Sequence, residues 1–563
     1  MQMTIPALLD ALEGSSKGLI FVNRREEETH LLWSTLRDEA QLVAGALIAQ
    51  GVKTGERVGL VYRTEPDFFR AFFGCLYAGA VPTPLYPPVR LGRLEDYHQR
   101  TSRMLEDADA VLVLASPQIR KLLGRAIAGA QPRLGCQTLQ QLNGQEKANR
   151  PADADALGLV QFSSGTTRQP KPVALSQKAL LAQASAILTT MKASFADHEV
   201  PWVGVSWLPL YHDMGLIGCV IPALIHDADL VLIRPEDFIG KPVLWLRALS
   251  RHKGIISPAP NFAFGLCTQR IKEEDLEGVD LSYWRIAMNG AEAVQPSTLE
   301  AFLARFKPYG LREEAITPVY GLSEAALAVC FADFKSPYKC LENHDRSGLV
   351  SVGRPLEGFE IEIRSEAGDT IDDGTEGLLW VKGPSLMEGY LNQAEHTAEV
   401  LQNGWLKTGD IALVNQGELY IVGRAKDLII LNGRNYAPDA IEAIVDGMPG
   451  IRRGCLAAVG WRKEGADSES LLLFVEHEKG ASEQVLSDLG DACQKAILDA
   501  VQLQSHIAIL SPGTLPRTSS GKIRRQEALN LYTKKSLLPP EKMGTFKLIG
   551  ALWESRKHMP KTP

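Results

Sequence analysis

The sequence predicts a layered α/β protein that carries a short-strand β region and, toward the C-terminus, a small α+β unit. Three observations predict it. Apolar strand-like runs alternate with helical periodicities over the first half of the chain, the pattern of a parallel sheet covered by helices. From about Val350 short strands separated by Gly and Asp dominate, which suits a small β-barrel or twisted sheet. Past Lys426 strand and helix mix again. The length of 563 residues agrees, corresponding to roughly three or four structural units.

Along the chain, residues 57–62 (RVGLVY) read as a strand, and within 66–78 Phe69, Phe72, Phe73 and Leu76 recur at helical spacing. Residues 81–85 resume an extended pattern, a helix is predicted over 100–108, and 110–114 (AVLVL) is again a strand. The rhythm returns at 203–208, 228–233 and 254–257. The short strands of the later region are 360–364, 377–382, 411–415 and 418–422. Residues 470–476 read as a strand and 482–501 as an amphipathic helix with Val485, Leu486, Leu489 and Cys493 on one face. The expected division is 1–425, 426–535 and a tail over 536–563, with a hinge in 423–427.

Composition excludes several classes. Hydrophobic residues are 45% and charged residues 23%, which fits neither a disordered chain nor a fibre. The net charge of −7 gives no support for a nucleic-acid partner. The eight cysteines are scattered without a CxxC pair, so reduced thiols and a cytoplasmic setting are expected rather than a zinc ribbon or disulfide framework. The N-terminus lacks a basic region and Asp10 interrupts its apolar run, so no signal peptide is expected. The longest strongly apolar stretch, 216–225, is far below the roughly 20 residues of a membrane helix, so no membrane span is expected.

Five segments could carry chemistry. In FSSGTTRQPKPVA (162–174) a strand runs into a Ser/Gly/Thr turn whose N–H groups and hydroxyls can wrap an anion, with Lys171 adding a positive charge; the GxxxxGK[ST] phosphate loop is absent. In WLPLYHDMGLIG (207–218), His212 can gate an apolar pocket, and adjacent His212 and Asp213 diverge too much for a catalytic dyad. In MNGAEA (288–293) and PVYGLSEA (318–325), Tyr320 can stack on a flat ring, Gly290 and Ala291 let a ring approach the backbone, and Glu324 can hold a hard cation beside phosphates. In LKTGD (406–410) and GRAKDLIILNGRNYAPDAIE (423–442), Asp410 can accept both ribose hydroxyls and Arg424 can reach ribose or phosphate. In LPRTSSGKIRR (515–525), Lys522 follows a tight turn among Arg517, Arg524 and Arg525. Taken singly, each also reads as an ordinary surface loop, packed histidine or solvated basic patch.

Together and in this order, SSGTT, YHDMG, NGAE, YGLSE, LKTGD, GRAKD and TSSGK resemble the adenylate-forming superfamily over nearly the whole chain, roughly residues 31–532. AVPTPLYPPVRL, LPLYHDMGLIG, NGAE and LNGRNYAPDAIE look most like its fatty acyl-AMP ligases. The phosphate loop departs from the family pattern, with Arg168 and Pro172 standing where glycines are usual; the 325–352 stretch is short for the insertion that those ligases carry.

The resemblance implies a large N-terminal domain of two α/β subdomains plus a small β-barrel, then a small mobile α+β C-terminal domain hinged at Lys426. It implies that a fatty or related carboxylic acid and ATP give acyl-AMP and pyrophosphate, with Mg²⁺ as cofactor. The acyl group then passes to the phosphopantetheine of a separate acyl carrier protein; coenzyme A is the alternative acceptor, and a non-catalytic adenylate-binding or carrier-docking protein is the third reading. In the implied site Ser163, Ser164, Gly165, Thr166, Thr167 and Lys171 cradle pyrophosphate. Gly290, Ala291 and Tyr320 hold adenine, Asp410 and Arg424 the ribose, and Glu324 the metal. Lys522 bridges carboxylate and α-phosphate, and is expected to be exposed in the free protein; His212 lines the acyl entrance.

Overall fold

The computed structural model describes residues 3–88, 94–142, 144, 146–150, 153–163, 170–194, 202–342, 348–431, 434–462, 470–518 and 521–539. Near the N-terminus the strand Arg57–Val61 lies inside a four-stranded parallel sheet, between Val81–Pro84 and Ala110–Ala115, with Cys136–Gln137 at the edge. Val58, Leu60 and Val61 are all buried, as a parallel strand covered on both faces requires. The helix Pro66–Tyr77 buries Phe68, Phe69, Phe72 and Phe73, and Pro66 opens it where a missing N–H does no harm.

A second sheet has nine strands. From one edge they are Arg354–Pro355, Ala328–Phe331, Ile316–Gly321, Ile286–Asn289, Ile256–Ala259, Val203–Ser206, Asp229–Ile233, Gly18–Val22 and Glu28–Leu32. The six from Ile316–Gly321 to Gly18–Val22 are parallel. Their carboxyl ends therefore share one edge, and the loops leaving that edge are where an open α/β sheet binds its ligands. The segments holding His212, Gly290 and Glu324 all leave from there.

Two antiparallel sheets flank this edge. Leu157–Phe162, Pro172–Ser176 and Gly389–Tyr390 form one. In the other, Glu360–Arg364 pairs with Gly377–Lys382, which pairs with Trp405–Asn415; that long strand also pairs with Leu401–Gln402 and Glu418–Arg424. The C-terminal segment builds a three-stranded sheet from Ile451–Trp461, Ser470–His477 and Ser505–Leu510, packed with helices Pro438–Val445, Glu483–Val501 and Arg525–Thr533. It has apolar clusters of its own, one around Ile441, Val445, Leu473 and Leu489 and another around Phe474 and Ala528.

Some elements differ from the sequence expectation. The helix predicted to begin at Arg100 spans Leu94–Asp107, because Leu94, Tyr97, His98, Thr101, Met104 and Leu105 continue one buried stripe. In Glu483–Val501 the buried positions are Leu489, Cys493 and Ile497, whereas Val485 is 38% exposed. All eight cysteines are unpaired, and seven are buried. Among the described residues no helix is long and apolar enough to cross a membrane.

Candidate active site

Asn289 ends a parallel strand and is fully buried; its Nδ2 donates to Asn261 Oδ1 at 3.1 Å, which fixes the exit of the chain. Gly290 follows. A Cβ there would lie 2.6 Å from Val319 Cγ2 and 2.7 Å from the Val319 carbonyl oxygen, so only glycine lets this loop press against the neighbouring strand. Ala291 then adopts φ +68°, an unfavourable conformation for alanine that holds an exposed loop in one shape. Glu292 accepts from the Phe262 N–H at 2.6 Å. Burial pushes its carboxyl above the ordinary range, opposed by that bond and by the charge of Lys522.

Facing this loop is a charged chain across two sheets. Tyr320 Oη donates to Asp410 Oδ2 at 2.6 Å, and Arg424 Nε lies 3.0 Å from Asp410 Oδ1. Asp410 and Arg424 are cross-strand partners, so the register of the hairpin makes the ion pair. The Asp410 side chain is 7% exposed and that of Arg424 47%, leaving the guanidinium one side to offer a ligand. Asp410 holds Arg424 firmly charged against the cost of burial. Burial, then Asp410, keep the Tyr320 phenol protonated.

Glu324 sits in a short 3₁₀ turn, Ser323–Ala325, just past the strand Ile316–Gly321. Its Oε1 accepts from Tyr390 Oη at 2.9 Å, and the Lys171 Nζ stands 4.3 Å over the same tyrosine ring. Lys171 is placed by the hairpin: its N–H donates to Ser163 Oγ at 3.1 Å, and its carbonyl accepts from the Ser163 N–H at 3.0 Å. Ser164, Gly165, Thr166 and Thr167 lie outside the described residues. On the other side Ser323 Oγ donates to Asp213 Oδ2 at 2.5 Å, joining the YHDMG segment to the turn bearing Glu324. His212 is half-buried, precedes the helical run as its cap residue, and has its ring 5.0 Å from that of Tyr211.

Lys522 enters from the C-terminal unit. Its turn is closed by Thr518, whose N–H donates to the Lys522 carbonyl at 2.8 Å and whose Oγ1 accepts from the Lys522 N–H at 3.0 Å. The expectation that Lys522 is exposed is corrected here: the residue is half-buried. Burial holds its ammonium below the usual lysine range, and Arg424 adds to this, while Asp213, Glu292 and Asp410 oppose it. One lysine thus lies within electrostatic reach of groups from four separate segments of the large unit. The approach is steadied by Arg100 Nη2, which bonds Glu527 Oε1 at 2.8 Å across 427 residues of sequence.

The arginines around Lys522 are not a solvated surface patch. Arg517 bonds the Gly521 and Gly454 carbonyls and Cys455 Sγ, Arg524 is 5% exposed and paired with Glu527, and Arg525 is clamped by Asp439 and Glu442. They build the turn that aims Lys522. Lys426 stands apart from the site, exposed in the turn after Glu418–Arg424, where the Asp427 N–H returns to the Arg424 carbonyl at 3.0 Å.

Residues 13–391 match the AMP-binding enzyme family. The chain belongs to that family. Relatives align over nearly their full length. A Caulobacter vibrioides protein named as an acyl-CoA synthetase is 32% identical, covering 94% of this chain and 95% of its own. A Mycobacterium tuberculosis protein named as the long-chain-fatty-acid–AMP ligase FadD30 is 32% identical over 92% and 94%. The medium-chain-fatty-acid–[acyl-carrier-protein] ligase JamA of Moorena producens is 30% identical over 91% and 92%. A structure from a study of fatty acyl-adenylate ligases of E. coli and L. pneumophila superposes with a TM-score of 0.87 at 31% identity, over 94% of this chain and 98% of that one. Adenylate-forming enzymes, the family that this chain matches, use ATP.

The AMP-binding enzyme brings Lys522, Asp410, Arg424, Tyr320, Glu324, Lys171 and the Gly290–Ala291 loop to one edge of its large sheet. Sequence reasoning missed Tyr390, which carries both Glu324 and Lys171, and Glu292. Tyr390 lies in a Gly-marked run (EGYLN) that pairs with Pro172–Ser176 more than 200 residues away, whereas Glu292, the last residue of the NGAE motif, was visible locally but carried no assigned role.

Proposed function

We propose that the protein is a fatty acyl-AMP ligase that activates a fatty or related acid with ATP and loads a separate acyl carrier protein. The observation that supports the proposal is Lys522, which the C-terminal unit brings within electrostatic reach of Asp410, Arg424 and Glu292. An acid carboxylate and the α-phosphate are both anions, and their meeting is opposed by repulsion. A preorganised ammonium in a partly dry site stabilises the charge that develops as the carboxylate oxygen attacks α-phosphorus and the bond to the β-phosphate oxygen breaks. In this reading Asp410 accepts from ribose hydroxyls and Arg424 reaches the ribose or phosphate. Tyr320 and the Gly290–Ala291 loop border the adenine, Ser163 and Lys171 border the leaving pyrophosphate, and His212 lines the acyl entrance.

Glu324 would hold Mg²⁺. The donor set fits: one hard carboxylate beside the phosphate-binding hairpin suits an ion that takes its remaining ligands from phosphates and water. When bound, the ion neutralises charge on the leaving pyrophosphate. Glu324→Gln keeps the shape and the Tyr390 contact but removes the charge, so activity is expected to fall strongly and recover in part at high Mg²⁺. A titration of rate against Mg²⁺ checks this, and an unchanged dependence would make Glu324 structural.

Transfer requires the acyl carbonyl to be reached by a thiol, and Lys522 stands in the way. Rotation of the 426–535 domain about Lys426 would withdraw it and bring in the 432–435 loop. The name of JamA supports a carrier as acceptor, whereas that of the Caulobacter protein supports coenzyme A. With labelled fatty acid and ATP, the expected result is acyl-AMP accumulation without a thiol, rapid transfer to a holo-carrier and little acyl-CoA. Efficient acyl-CoA formation would move the protein to the coenzyme A class.

A further inference from the structure

A narrow apolar groove lies against the nine-stranded sheet, under the helix Gln177–Ser194 and the helical run that spans Leu216–Val220 and Ile221–Ile225. Its walls include Ile187, Met191, Val205, Cys219, Ala223 and Leu230, each no more than 9% exposed. The groove has a direction. At one end are Gly218 and Pro258. Gly218 belongs to the helical run that Asp213 starts, and Pro258 is in register with Met288, two residues before Gly290. This end therefore lies on the side of the sheet edge that carries the proposed adenylate site. At the other end, at the amino terminus of the strand Val203–Ser206, Trp202 and His226 meet edge to face with ring centroids 4.7 Å apart. From Ser206 back to Trp202 the strand spans about 13 Å.

We infer that the Trp202–His226 ring pair is the floor of the acyl groove and limits the enzyme to acids of medium chain length. The inference rests on the fatty-acid reading given above and adds to it which acids fit. The free volume of the groove is about 50 Å³, so a tail enters by displacing pliable side chains such as Met191 and Leu188. Each methylene buried along the groove improves binding by roughly fourfold. That gain ends at the two rings. Flat rings held edge to face yield less readily than a methionine does, and overpacking against them is unfavourable.

The test is acid-dependent pyrophosphate release across straight-chain acids from butyrate to palmitate, read as ratios between acids. The wild-type enzyme is expected to favour octanoate or decanoate over palmitate by about tenfold or more. Trp202→Ala removes the floor and is expected to raise the palmitate-to-octanoate ratio by about tenfold. Ala223→Leu, which fills the middle of the groove, is expected to shift the optimum to shorter acids, so the floor remains testable if Trp202→Ala fails to fold. A wild-type enzyme that turns over palmitate as well as octanoate, or ratios that neither variant moves, overturns the inference and leaves the fatty-acid reading standing. Pyrophosphate release with none of the acids overturns that reading, and the groove assignment with it.

Discussion

Lys522→Ala is expected to reduce acid-dependent pyrophosphate release by several hundred-fold or more, about 3–4 kcal/mol of transition-state stabilisation. The magnitude follows from the placement of the ammonium. It is half-buried, its charge is partly destabilised by desolvation and by Arg424, and the negative charges of Asp213, Glu292 and Asp410 oppose that. Such a group is poised to gain most when negative charge grows in front of it. Its turn is closed by Thr518 and braced by Arg517 with no help from the lysine side chain, so the variant should fold. Thermal unfolding within a few degrees of wild type checks that. Transfer from pre-formed acyl-AMP to a thiol should survive, because Lys522 is withdrawn from that step in the proposed cycle. Wild-type rates of pyrophosphate release from Lys522→Ala would remove the residue from this role.

The contact between the two units agrees with a two-step cycle. The Arg100–Glu527 pair bridges helices Leu94–Asp107 and Arg525–Thr533 with side chains 38% and 28% exposed. Pairs of that exposure contribute roughly 0–1 kcal/mol and weaken with salt. By contrast Arg525, clamped inside the C-terminal unit by Asp439 and Glu442, is 15% exposed. The Arg525 clamp within the unit that carries Lys522 is thus better shielded than the Arg100–Glu527 pair between units. The proposed rotation would break the second and keep the first.

How much of this was legible beforehand depends on whether a signal was local. The strand at 57–62 and the helix at 66–78 were, because each is an apolar pattern complete in itself; both form within one residue of the expected ends. The strands Gly18–Val22 and Glu28–Leu32 were not anticipated. Gly18–Val22 is specified by pairing with Asp229–Ile233, about 200 residues on. The site divides similarly. Glycine, proline and capping residues leave short motifs at strand ends, so Gly290, Glu324, Asp410 and Lys522 stood out as candidates, and the resemblance to the adenylate-forming superfamily supplied their roles. Tyr390 and Arg100 act only through partners 66 and 427 residues away, and nothing in their flanking sequence announces the contact. The basic cluster at 517–525 misled for the opposite reason. Charge density suggests solvent, yet each arginine there satisfies carbonyls or carboxylates inside the fold.

The other large effect is expected at Asp410. This carboxylate accepts from Tyr320 Oη and pairs with Arg424, and its side chain is 7% exposed. Asp410→Ala leaves two donors without an acceptor in a partly dry site. Leaving the Tyr320 hydroxyl without its acceptor costs about 1–3 kcal/mol, whereas the half-exposed Arg424 can turn to water. Because the cluster joins the strand Trp405–Asn415 to Ile316–Gly321, part of that loss should appear as lower stability. Asp410→Asn separates the effects. The amide can still accept from Tyr320 and fills the same volume, so unfolding temperature should stay near wild type, but one uncharged oxygen replaces the acceptor proposed to bind both ribose hydroxyls. The kcat/KM for ATP is then expected to fall roughly 100-fold, about 2.7 kcal/mol, with the larger share in KM because ribose is held alike in ground and transition states. 2′-Deoxy-ATP provides the check. It should be a poor substrate for the wild type and lose little more with Asp410→Asn, since the hydroxyl and its acceptor form one contact. Equal additional losses for ATP and 2′-deoxy-ATP would show that Asp410 serves only to hold Arg424 and Tyr320.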